Sequence, residues 1–148
     1  MKELILGGAR SGKSQLAEQR ALASGLTVVY LATAQALDGE MARRVAHHRE
    51  RRPADWGCVE ETLHLAARLR ELAAPDTCVL VDCLTLWLSN LLFAGKAAAQ
   101  AEAGEAIACP LVSPPQSPSH ARPAAGFLIR SVRTGPGVAI VASQLSRR

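Results

Sequence analysis

Near its amino terminus the chain carries Gly7, Gly8, Ala9, Arg10, Ser11, Gly12, Lys13 and Ser14. They meet every fixed position of the P-loop pattern G-x-x-x-x-G-K-[ST]. Residue types at this spacing suit the holding of nucleotide phosphates. The glycines let the backbone curl so that several N–H groups turn inward, with no Cβ in the way. A helix starting near Lys13 adds the positive end of its dipole. Lys13 would bring a full charge to the β- and γ-phosphates, and the Ser14 hydroxyl would ligate Mg²⁺. The alternative is a glycine turn between strand and helix that binds nothing, which does not call for a match at every fixed position.

A second candidate closes an apolar run further on. Cys78, Val79, Leu80 and Val81 lead directly to Asp82. An acidic residue ending a buried strand is what a P-loop fold uses to organise Mg²⁺. Asp82 could also cap a helix over the apolar stretch Leu84 to Phe93. The P-loop itself calls for such a residue, which favours the metal role.

The third group is histidine with arginine. At 100° per residue, Leu37, Met41 and Val45 form one apolar stripe, with Asp38 placed to cap the helix. His48 and Arg52 fall in that stripe, while His47 points off it. Periodicity alone favours a core histidine satisfied by a neighbour. Arg49, Glu50, Arg51 and Arg52 adjoin His48, and although such a cluster is usually a solvated face, guanidinium groups clamp phosphates well. That adds weight to a side chain aimed at the nucleotide crevice and leaves both readings of His48 open.

The elements that must position these groups are legible in outline. Leu4 to Leu6 suits a buried parallel strand and Ser14 to Ala23 a helix, which Gly25 stops. Thr27 to Ala32 is a β-branched, apolar second strand ending in Thr33, Ala34 and Gln35. In open α/β sheets the carboxyl ends of strands face the ligand crevice, so these three are expected to help hold the nucleotide. Pro53 closes the histidine helix, Trp56 follows in a loop, and Glu60 and Glu61 precede a helix over Thr62 to Ala73. Pro75 to Thr77 is a turn before the strand that ends at Asp82.

Composition sets wider bounds. The 148 residues suit one domain with a real core. No apolar run approaches the length of about 20 residues that a membrane helix needs. The first strand begins almost at once, so no leader segment is expected. Cys58, Cys78, Cys83 and Cys109 show no metal-ligand spacing and read as free thiols in a reducing cytoplasm. A net charge of +4 suits an anionic substrate. Nucleic acid is not expected as a partner, because aromatics are few and the arginines are scattered.

Three stretches together resemble one family, the bifunctional adenosylcobinamide kinase / adenosylcobinamide-phosphate guanylyltransferases of cobalamin biosynthesis. They are GGARSGKS at 7–14, YLATAQALDGEMARRVAHHRERRPADW at 30–56 and VLVDCLTLWLSNLLF at 79–93. The resemblance implies a P-loop NTPase-type three-layer α/β fold with a mostly parallel sheet, commonly a homotrimer. It also implies two linked activities. A nucleoside triphosphate, ATP or GTP, phosphorylates adenosylcobinamide, and GTP then guanylylates that phosphate through a GMP–histidine intermediate. By position the histidine is His48, with His47 as the fallback. Nucleotide contacts are implied for the P-loop, Thr33 to Gln35, Arg49 to Arg52, Glu60 and Asp82.

The last third departs from that family. After Glu105 there is no acidic residue, and residues 106–136 carry six prolines. The family's N-E-V-G-x-G-I-V-P segment is missing. The expectation is a P-loop core over 1–105 and an irregular tail over 106–148, leaving the sheet incomplete at the carboxyl end; only 137–143 offers a further buried strand. A reading-frame change, a sequence error and true divergence all give such a tail. Two other functions stay open beside the bifunctional enzyme: a P-loop kinase of another small hydroxyl substrate, and a truncated subunit that binds nucleotide without turnover.

Overall fold

A computed structural model of the chain describes residues 2–8, 11–34, 53–108, 119–120, 128–132 and 138–144. The histidine helix expected around 37–52 lies outside the described residues.

β1 (Lys2–Gly7) runs into the P-loop and α1 (Lys13–Ala23). Gly12 has φ 85°, the left-handed backbone that favours glycine, and it turns the chain from loop into helix. At the far end of α1 the Gly25 N–H bonds back to the Leu22 carbonyl with φ 68°, as the stop signal requires. β2 (Thr27–Ala32) and β4 (Thr77–Asp82) follow the apolar runs seen in the sequence. Between them lie β3 (Gly57–Glu60) and α2 (Leu65–Leu72). α3 (Leu84–Ala94) and α4 (Lys96–Ala108) come next, then β5 (Ser119–His120), β6 (Leu128–Val132) and β7 (Val138–Gln144).

The sheet has the order β3-β2-β4-β7-β1-β6-β5. β3, β2, β4, β7 and β1 are mutually parallel, and β6 is antiparallel to both β1 and β5. Alternate side chains of each strand go to opposite faces. Val28, Tyr30, Cys78 and Leu80 join Ile5, Ala17 and Ala21 on the α1 face. Leu31, Val79 and Val81 pack with Leu65, Leu69, Trp87 and Leu91 on the α2 and α3 face. Burial on both faces is why these strands read as unbroken apolar runs. α4 packs across α2 and α3.

Several expectations change in detail. α2 is shorter than Thr62 to Ala73, because the Glu61 carboxylate accepts the Leu63 and His64 N–H groups and holds 62–64 as a turn. β3 was not legible, since Gly57–Glu60 is a short and largely exposed edge strand. In the tail the structure places β5 and β6 beyond the one strand that the sequence offers. That strand, β7, lies between β4 and β1, so the sheet draws on both sides of residue 105.

Candidate functional site

The parallel strands end along one edge of the sheet. Register pairs Ala32 with Glu60 and with Asp82, Asp82 with Ala142, and Gly7 with Gln144. The carboxyl ends of five strands thus line a single crevice, the place where open α/β sheets bind ligands.

The P-loop forms one wall. Gly7 ends β1, and Gly8 follows it. The Lys13 ammonium donates to the Gly8 carbonyl at 3.2 Å, folded back over the loop. The Ser11 hydroxyl is shielded from solvent and has no hydrogen-bond partner among the described residues. Buried polar atoms are seldom left so, and an incoming phosphate oxygen would satisfy this one. Among the described residues no side chain caps α1, and its first turn holds no acidic residue. Its amino-terminal N–H groups therefore offer an uncompensated site for an anion.

The contrast with α2 is informative. There Glu61 takes the Leu63 and His64 N–H groups at 2.9 Å each, and buried Glu102 takes the Ala66 N–H at 2.8 Å. Burial pushes the Glu61 pKa upward, but those hydrogen bonds and the nearby His64 and Arg68 charges outweigh it, and the net direction is down. The end of α2 carries its own carboxylates, whereas the end of α1 carries none.

Across the crevice the Ser14 hydroxyl donates to Asp82 Oδ2 at 3.3 Å. The Tyr30 hydroxyl donates to the same oxygen at 2.7 Å. Cys83, not Asp82, occupies the N-cap position of α3, so the capping alternative for Asp82 is not the one found. A hydroxyl and a carboxylate are hard oxygen donors, the type Mg²⁺ takes alongside substrate phosphates, and the pair fits that ion. Among the described residues there is no cluster of three or more His, Cys, Asp or Glu side chains that could hold a metal. Mg²⁺ at nucleotide sites uses one or two protein ligands and needs no such cluster.

Thr33 sits differently from the expectation. It is fully buried, and its hydroxyl donates to the Cys83 carbonyl at 2.7 Å and accepts the Cys83 N–H at 2.9 Å. Its own N–H donates to the Asp82 carbonyl at 3.1 Å. The side chain is spent on tying β2 to the end of β4. Ala34 follows at the crevice edge, and Glu60 is exposed at the end of β3. Ala9, Arg10, Gln35, His47, His48, Arg49, Glu50, Arg51 and Arg52 lie outside the described residues. Cys78 and Cys83 are free thiols, and burial pushes both up, which keeps them protonated.

Three residues at this edge were not singled out in the sequence. Tyr30 looked like strand interior, and only the pairing of β2 with β4 brings it to Asp82. Asn90 donates to the Thr33 and Thr62 carbonyls at 2.9 and 3.1 Å, bracing the crevice from α3. Gln144 ends β7 beside Gly7, a place that depends on the strand order.

No helix among the described residues is long and apolar enough to cross a membrane. Residues 3–114 match the family model described as cobinamide kinase / cobinamide phosphate guanyltransferase. The chain is 67% identical over 92 residues to the bifunctional adenosylcobalamin biosynthesis protein CobP of Pseudomonas aeruginosa, covering 62% of this chain and 53% of that one. It is 46% identical over 94 residues to the bifunctional adenosylcobalamin biosynthesis protein CobU of Salmonella typhimurium, covering 64% and 51%. With the Escherichia coli protein of the same name it shares 45% over 93 residues, covering 63% and 51%. The chain thus spans about half the length of the curated relatives it matches. A P-loop facing a strand-end carboxylate, with this match over most of the chain, places the protein in the cobinamide kinase / cobinamide phosphate guanyltransferase family.

Proposed function

We propose that the chain binds a nucleoside triphosphate with Mg²⁺ at the P-loop and acts in adenosylcobinamide phosphorylation and guanylylation. The observation that carries this reading is the Ser14–Asp82 contact at 3.3 Å, which joins the loop to the end of β4. Mg²⁺, when bound, would offset charge on the phosphates. Lys13, drawn from the Gly8 carbonyl, would do so at the β- and γ-phosphates, and the amino end of α1 would receive phosphate oxygens.

In the kinase step the substrate hydroxyl oxygen attacks the γ-phosphorus. The bond to the β-phosphate bridging oxygen breaks, the nucleoside diphosphate leaves, and the hydroxyl proton passes to solvent. In the second activity a neutral imidazole nitrogen of His48 attacks the α-phosphorus of GTP and pyrophosphate leaves. The cobinamide phosphate oxygen then displaces the imidazole and takes the GMP group. A neutral imidazole is nucleophilic near pH 7, and two steps replace one harder transfer. Thr33, Ala34, Gln35, Arg49, Glu50, Arg51, Arg52 and Glu60 remain candidates for nucleotide contact, Thr33 with its hydroxyl, N–H and carbonyl already bonded within the protein. A homotrimer is proposed on the family resemblance alone.

Incubation with α-labelled GTP tests the reading. We expect acid-labile label on the protein, lost in His48→Ala and kept in His47→Ala. The reverse pattern moves the nucleophile to His47, and the absence of protein-bound label from α-labelled GTP overturns the guanylylation reading.

A further inference from the structure

We infer that Tyr30 is a positioning residue for the Asp82 carboxylate, holding it ready for the cation that accompanies the nucleotide. This rests on the metal role proposed for Asp82. The Tyr30 ring is 3% exposed and packs in the cluster of Ile5, Ala17, Ala21 and Leu80 on the α1 face. Packing there would be satisfied by phenylalanine; the hydroxyl is the part that the core does not need. It reaches Asp82 Oδ2 at 2.7 Å, shorter than the 3.3 Å contact from Ser14 to the same oxygen. The two contacts therefore differ in kind.

Register explains the reach. Tyr30 is paired with Leu80 and Ala32 with Asp82, so Tyr30 and Asp82 project from one face of neighbouring strands, one pleat apart. A carboxylate at a strand end rotates about two side-chain bonds. A donor whose ring is clamped in the core removes that freedom before any ligand arrives, and partners of this kind tune metal affinity. Ser14, on a loop-to-helix junction with a longer contact, can turn to a cation while Tyr30 keeps its hold. Charge-assisted bonds from a phenol to a carboxylate are among the stronger hydrogen bonds.

The test is Tyr30→Phe in the full chain, with ATP binding measured by calorimetry across a Mg²⁺ series. ATP affinity in EDTA should stay unchanged, while the Mg²⁺ concentration giving half the full enhancement should rise about tenfold. Asp82→Asn should remove the Mg²⁺ enhancement altogether. An unchanged Mg²⁺ midpoint in Tyr30→Phe overturns the inference, whereas Mg²⁺ enhancement that survives in Asp82→Asn overturns the metal role beneath it. Tyr30 is the only tyrosine in the chain, so fluorotyrosine incorporation gives one fluorine resonance in an otherwise unaltered protein. That resonance should move when Mg²⁺ is added to the ATP-bound chain and stay still in Asp82→Asn. Indifference to Mg²⁺ in the unaltered chain counts against the inference just as the calorimetry would.

Discussion

Ser14 and Asp82 stand 68 residues apart in the chain and 3.3 Å apart in space, hydroxyl to carboxylate. The contact spans the sheet positions of β1 and β4, between which β7 is inserted. The loop proposed to bind phosphate and the acid proposed to organise a cation are thereby held at one crevice. The expected consequences can each be measured.

Among the described residues Lys13 donates to the Gly8 carbonyl of its own loop alone, so Lys13→Ala should leave folding nearly intact. The proposed nucleotide site loses the Lys13 charge, and affinity for ATP should fall by about tenfold to a hundredfold. Calorimetric titration beside a urea melt checks both halves. Equal affinity in the variant would remove Lys13 from the site.

Thr33→Val keeps the shape of the side chain but strips both hydroxyl contacts to Cys83. The Cys83 N–H and carbonyl lose that partner in a half-buried setting, which should cost about 1–3 kcal/mol of stability. Urea unfolding gives the number. If nucleotide affinity falls while stability holds, Thr33 touches ligand directly and the tying role is wrong.

Glu61 supplies an acid-sensitive part of the stability. Its folded pKa is depressed from the ordinary 4.5, so its contribution is full above that value and fades as pH falls through the depressed one. Glu61→Gln should therefore be less stable than the unaltered chain at pH 7, and the gap should close on strong acidification. Paired melts at neutral and acid pH read it out; a gap independent of pH would mean that shape, not charge, matters there.

β7 tests whether the tail belongs to the sheet. Val141 is in register with Leu4 on one side and Val81 on the other. Proline at 141 removes an N–H from a strand paired on both edges, a position from which proline is normally excluded. Val141→Pro should lose cooperative unfolding and ATP binding together, followed by circular dichroism and calorimetry. Retention of both would show that the core stands without β7.

Chemistry that depends on local spacing was determined by the sequence alone. Gly7 to Ser14 specify a phosphate loop because the glycines, Lys13 and Ser14 act on a ligand within a few residues of one another. Asp82 could be picked out because it ends a run apolar on both faces, and such a run has few places to go except mid-sheet. What needed tertiary structure was every relationship between strands. Composition marked residues after 105 as foreign, yet β7 pairs between β4 and β1, because pairing uses backbone groups that every residue but proline carries. From its place after a strand Thr33 reads as a ligand contact, whereas its hydroxyl is bonded to Cys83, 50 residues away. Tyr30 passed as an ordinary strand residue, since strand periodicity gives the face of a side chain but not the neighbour across it. Register, which no single stretch encodes, decided that this neighbour is Asp82.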